Sequence, residues 1–98
     1  MALKITWHPK ALDRFNQIVT YLENEFGEKT ASLFIQKTYG AIFSISILPE
    51  IGSIEKKELS IRGLVISKQV TLFYQIKGDK IILLNFFDNR RKPLDLKF

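Results

Sequence analysis

The sequence predicts an α+β domain in which a helical hairpin covers one face of a small, mostly antiparallel sheet, in the order β-α-α-β-β-β. Three observations carry this reading. Apolar residues recur at three- and four-residue steps from Leu12 to Leu48, the period of buried helix faces. From Leu59 onward the apolar residues fall into runs with the length and period of strands. Between two of those runs stands Gly78-Asp79, a two-residue hairpin turn in which glycine supplies the positive φ that primed turns require.

Each element has its own local reason. Leu3, Ile5 and Trp7 alternate with Lys4 and Thr6, as in a half-buried strand. His8-Pro9 follows, and proline at a first helical position needs no N–H partner and has its φ already set. His8 is therefore read as a structural or capping residue. The first helix carries Leu12, Phe15, Ile18, Val19, Leu22 and Phe26 on one stripe, and Gly27 suits a left-handed stop. In the second helix Ala31, Phe34, Ile35, Thr38, Ala41, Ile42, Ile45 and Leu48 share a face. Gly40 lowers helix propensity there by about 1 kcal/mol relative to alanine, which suggests close packing against a neighbour. The short link at Gly27 makes the pair an antiparallel hairpin, ended by Pro49 and Gly52.

Ser53 to Glu58 is polar and reads as a loop. Leu59 and Ile61 then face one way and Ser60 and Arg62 the other, with Gly63 inviting a bulge or bend. Val70 to Lys77 and Lys80 to Phe87 form the remaining strands. The last is apolar on both faces, which places it inside the sheet. Tyr74 shares a face with Val70, Leu72 and Ile76, so its ring is expected in the core. The face of the sheet away from the helices is left partly open, and function is expected there.

The 98 residues make a single domain, 1–98, with 46% hydrophobic residues and eight phenylalanines, a composition that excludes a disordered chain. The absence of cysteine excludes disulfides and thiolate metal sites, and fits a reducing compartment. MALKITWHPK does not read as a secretion signal, and runs such as IILLNFF are shorter than the ~20 residues a membrane helix needs, so a cytoplasmic protein without membrane contact is expected. No Gly-rich phosphate loop, histidine pair or nucleophile elbow is present, and neither a metal nor a cofactor is expected.

The net charge of +5 is compatible with a simple solubilising surface, but also with attraction to phosphates or to an acidic protein segment. Arg62 on its strand, Lys56-Lys57 before it, Lys68, and Arg90-Arg91-Lys92 after the last strand are the candidate cations. Guanidinium groups converging on one concave surface would grip a carboxylate or phosphate bidentately.

The run IRGLVISKQVTLFYQIKGDKIILLNFFDNRRKP resembles the second half of the RelE/ParE superfamily of type II toxin–antitoxin (plasmid stabilisation) toxins. The short first strand, the amphipathic helix, the second helix with Ala31 and Phe34, and the Pro49-x-x-Gly52 break fit the first half. The resemblance implies a growth-inhibiting toxin neutralised by a cognate antitoxin, in a dimer or hetero-oligomer with it. It implies one of two targets, DNA gyrase as for ParE-like members or ribosome-bound mRNA as for RelE-like endoribonucleases. In a nuclease, Arg62 and Arg90 would match the strand and post-strand arginines that stabilise the phosphate, with Lys56 a looser match; Lys57, Lys68, Arg91 and Lys92 would add to the binding surface. The C-terminal tyrosine of the nucleases has no counterpart, since the tail ends in Phe98. Cleavage needs a proton acceptor and donor, and arginine supplies only charge stabilisation. Glu55, Lys56 or Asp88 would have to substitute. The gap leans toward the gyrase-directed type. The alternatives are a basic nucleic-acid-binding module without toxicity, or a degenerate toxin that retains only antitoxin binding.

Overall fold

The computed structural model describes residues 2–88. Strand β1 (Lys4–Trp7) leads into helix α1 (Pro9–Phe26), and helix α2 (Glu28–Ile47) follows with Gly27 as the only residue between them. A 3-10 turn at Pro49–Ile51 opens onto β2 (Ser53–Lys56), a second 3-10 turn at Lys57–Leu59, and then β3 (Ile61–Ser67), β4 (Val70–Lys77) and β5 (Lys80–Asp88). The strands form one sheet in the order β1-β5-β4-β3-β2. β1 runs parallel to β5, with Lys4 opposite Lys80, and every other neighbouring pair is antiparallel. The predicted fold class holds, with one short edge strand added.

Local chemistry accounts for the helix ends. The Nδ1 of His8 accepts a hydrogen bond from the Lys10 N–H at 3.0 Å, which satisfies one of the free donors of the first turn. Pro9 occupies the first turn beside it. Gly27 has φ 95, a backbone that disfavours any Cβ, and lets α1 stop and α2 start at one residue. Glu28 then places a carboxylate at the positive end of α2. At the β4–β5 hairpin, Gly78 has φ 61, as the turn chemistry requires.

The hairpin packs on one face of the sheet. Phe15, Ile18, Phe34, Ile42 and Ile45 meet Leu72, Tyr74, Ile81, Leu83 and Phe86 in one buried cluster. At its centre the Phe15 ring lies 5.5 Å from those of Trp7 and Phe86 and 5.8 Å from that of Phe34. Aromatic contacts in this range add stabilisation beyond the area they bury. β5 lies between β1 and β4, so both of its edges are paired, as its apolar run predicts; Ile81, Leu83 and Phe86 are buried, while Ile82, Leu84 and Phe87 on the other face are half-buried.

Several expectations are corrected. Ser53 to Glu58 is not a loop: it holds β2 and the start of a 3-10 turn, and all of β2 is solvent-exposed. β3 begins at Ile61, not Leu59, whose side chain is exposed in the preceding turn. On α1 the stripe is narrower than predicted, with Ala11, Phe15 and Ile18 buried and Leu12 and Phe26 exposed; Leu48 is exposed as well. Gly40 is not a packing glycine, because a Cβ there would meet nothing within 4 Å. Gly63 does meet a neighbour, since a Cβ would fall 3.0 Å from the Phe73 ring. The irregularities in β3 pairing lie instead opposite Ile54/Lys56 and between Val65 and Ser67.

Candidate functional site

Arg62 does not point away from the core face. In the sheet it stands directly opposite Tyr74, and directly opposed residues share a face. Tyr74 is fully buried under the helices, so Arg62 lies on the helix-bearing face, where α2 gives way to the Pro49–Ile51 turn. Ile54 on β2 stands opposite Arg62 from the other side.

These side chains clasp the backbone of the turn. The Tyr74 hydroxyl donates to the Pro49 carbonyl at 2.7 Å and accepts from the Gly52 N–H at 3.0 Å. Arg62 Nη1 donates to the carbonyls of Gly52 at 2.7 Å and Glu50 at 3.1 Å. Gly52 must be glycine, because a Cβ would sit 2.6 Å from the Tyr74 hydroxyl and 2.9 Å from the Gly63 carbonyl oxygen. Burial pushes the Tyr74 phenol above its ordinary 10.0, against a weaker downward pull from the Gly52 N–H and the Arg62 guanidinium.

The rest of the guanidinium lies at the edge of a depression of ≈ 300 Å³ lined by Glu50, Ile54, Lys56, Lys57, Ser60, Ile61, Arg62 and Ile76. Arg62 Nη2 stands 3.8 Å from a Glu50 carboxylate oxygen, with the arginine side chain 18% exposed and the glutamate 82% exposed. An ion pair this long and this wet contributes little to stability. Lys56, Lys57 and Arg62 thus line one depression, on a surface that also carries Glu50.

Lys68 does not join them. It sits in the β3–β4 turn, six strand residues from Arg62, or roughly 20 Å at the usual rise. β5 delivers the chain to the same distant end, since Asp88 stands opposite Val70. Arg90, Arg91 and Lys92 lie outside the described residues. Among the described residues, no cluster of His, Asp or Glu is arranged to hold a metal ion, and no helix is long and apolar enough to cross a membrane.

A second surface was missed in the sequence reading. Tyr39, Phe43 and Ile47 follow one another at four-residue steps on α2, 54%, 64% and 46% exposed. Side chains at this spacing form one continuous stripe. The α2 residues that carry charge, Glu28, Lys29 and Lys37, all precede Tyr39, so the stripe lies on the half of the helix that holds no charge. The four-residue spacing was its signal, out of phase with the core stripe.

Comparison with known proteins places this arrangement. No curated protein sequence matches the chain. The chain superposes on the chromosomal ParDE toxin–antitoxin system of P. aeruginosa with a TM-score of 0.73 at 15% identity, covering 89% of this chain and 96% of that one. For the YoeB/ParE toxin from Agrobacterium tumefaciens the TM-score is 0.64 at 12% identity, with coverages of 88% and 98%. For the toxin–antitoxin complex RelBE2 from Mycobacterium tuberculosis it is 0.61 at 10% identity, with coverages of 90% and 99%. At these identities the likeness is one of fold. The family model described as the ParE toxin of the type II toxin–antitoxin system parDE matches residues 5–93, nearly the whole chain. The chain belongs to the ParE toxin family of type II toxin–antitoxin systems.

Proposed function

We propose that this protein arrests bacterial growth by acting on DNA gyrase and is neutralised by a cognate antitoxin that covers the outer face of α2. The observation that carries the second part is the Tyr39–Phe43–Ile47 stripe. A helix apolar on opposite sides is ordinarily buried on both, and here the sheet covers only one. Charge favours the antitoxin over a second copy of this chain. Two copies each carrying +5 repel, whereas an apolar segment flanked by acidic residues would meet Lys37, two residues before the stripe begins, and Lys56, Lys57 and Arg62 beyond it. Proteins of the same fold include the toxins of the RelBE2 toxin–antitoxin complex from Mycobacterium tuberculosis and of the E. coli DinJ–YafQ toxin–antitoxin complex.

Gyrase is favoured as the target because the groups a ribonuclease would use have other work. The strand arginine holds two backbone carbonyls, Tyr74 is buried on the same turn, and His8 caps α1. The second reading, cleavage of ribosome-bound mRNA, draws support from the meeting of Lys56, Lys57 and Arg62 in one depression. Induced expression in a bacterial host separates the two. Gyrase poisoning raises double-strand DNA breaks and leaves transcripts intact, whereas mRNA cleavage gives new 5′ ends by primer extension. Normal growth with folded protein present would overturn both in favour of a non-toxic binding module.

A further inference from the structure

We infer that Tyr74, though buried and remote from solvent, is a positioning residue that sets the guanidinium of Arg62 through the Pro49–Gly52 turn. The inference rests on the reading of Arg62 as a contact for an acidic partner, and it concerns how that contact is prepared. The two side chains stand opposite each other in the sheet and never need to touch. Tyr74 fixes the turn at both ends, at the Pro49 carbonyl and the Gly52 N–H. The turn in turn offers two carbonyls, Glu50 and Gly52, to one nitrogen of Arg62.

Two bonds from the two N–H groups of Nη1 fix the plane of the guanidinium. With the plane fixed, Nη2 is held on the Glu50 side, at the depression both residues line. Among the described residues it meets an exposed carboxylate there, at 3.8 Å. An incoming carboxylate or phosphate of a partner can replace Glu50 without disturbing the bonds behind it. A pre-oriented fork loses less entropy on forming a new charge-assisted bond than a free one. Glu50 thus stands as the internal occupant of a place shaped for an oxyanion.

The experiment uses purified full chain labelled with ¹³C and ¹⁵N and compares wild type with Tyr74→Phe, which keeps the ring and removes the hydroxyl. In wild type, rotation of the Arg62 guanidinium should be slow and its Nη protons should give separate signals. In Tyr74→Phe rotation should rise about tenfold, the equivalent of one lost hydrogen bond, and the signals merge. The methyl signals of Ile42, Ile45 and Leu72 should stay in place. Gly52→Ala, which forces a Cβ against the tyrosine hydroxyl, should loosen Arg62 in the same way. Unchanged Arg62 signals in Tyr74→Phe would overturn the inference, as would loosening accompanied by shifts throughout the core methyls. A loosened Arg62 in a variant that still arrests growth fully would leave the positioning intact and overturn the functional reading of Arg62 instead.

Discussion

The Pro49–Gly52 turn and the outer face of α2 lie within a few residues of each other in sequence and solve opposite problems. At the turn, polar backbone groups leave a helix end in a place where the sheet and helices crowd together, and each is met by a buried or half-buried side chain. On α2 the large apolar side chains Tyr39 and Phe43 stand largely in water, although Tyr39 keeps its ring edge near Trp7 and Phe15. One region is complete within the chain. The other is complete only with something laid on it. Changes at the turn should therefore be felt by the fold, and changes on the stripe by the partner.

The largest test of that contrast is Tyr74→Ala, expected to destabilise by ~3–5 kcal/mol, as for other large-to-small aromatic changes in cores. Chemical denaturation measures it, and a loss under ~1 kcal/mol would mean that the turn needs no clasp. Arg62→Ala comes next, at ~1.5–3 kcal/mol for hydrogen bonds made by a charged group. An ordinary exposed strand charge contributes less than ~0.5 kcal/mol; the two carbonyl bonds are what raise it. Titration gives a third measurement. The folded phenol of Tyr74 ionises above the 10.0 of the unfolded chain. Its contribution to stability is full below pH 10 and is lost as pH rises through the folded value. Thermal midpoints, corrected for other groups with Tyr74→Phe, should hold level up to pH 10 and fall beyond it.

Smaller effects test the outer face. Gly40→Ala should stabilise the free toxin by ~0.8–1 kcal/mol, because the helix gains propensity and the new methyl meets nothing. If the same change weakens antitoxin binding, the glycine is there for the approach of the partner's backbone. Phe43→Ser should alter stability by less than ~0.5 kcal/mol. Calorimetric titration with the antitoxin should nonetheless show a large loss of affinity, and unaltered binding would move the partner off this stripe.

What the sequence disclosed follows from which residues it buries. Phe15, Ile18, Ile42 and Leu72 lie in the core and announce themselves by their spacing, as does the Gly78 turn by its glycine. Strand β2 was invisible because every one of its residues is exposed, so no alternation marks it. The face of Arg62 is misjudged from sequence because Ile61 looks like a core marker; Ile61 is buried but lies outside the helix-covered cluster, and Arg62, alternating with it, shares the face of Tyr74. The clasp itself joins Tyr74 to residues more than twenty positions earlier. No local pattern records such a bond. Lys56, Lys57 and Arg62 are near one another in sequence, whereas the distance between Arg62 and Lys68 requires the register of β3 and β4.

The parallel pairing of β1 with β5 has a consequence for the making of the protein. Among the described residues the first strand is hydrogen-bonded to the last, Lys4 standing beside Lys80. At roughly 5–20 residues per second of synthesis, β1 waits several seconds for its neighbour. The helical hairpin, closed by local contacts around Gly27, has no such delay, and such local structure forms faster than long-range strand pairing. Through that interval α2 is present while the sheet that buries its inner face is unfinished, so both of its apolar sides are open at once. A partner able to recognise the outer stripe would find its target on a nascent chain, before there is a finished toxin to inhibit.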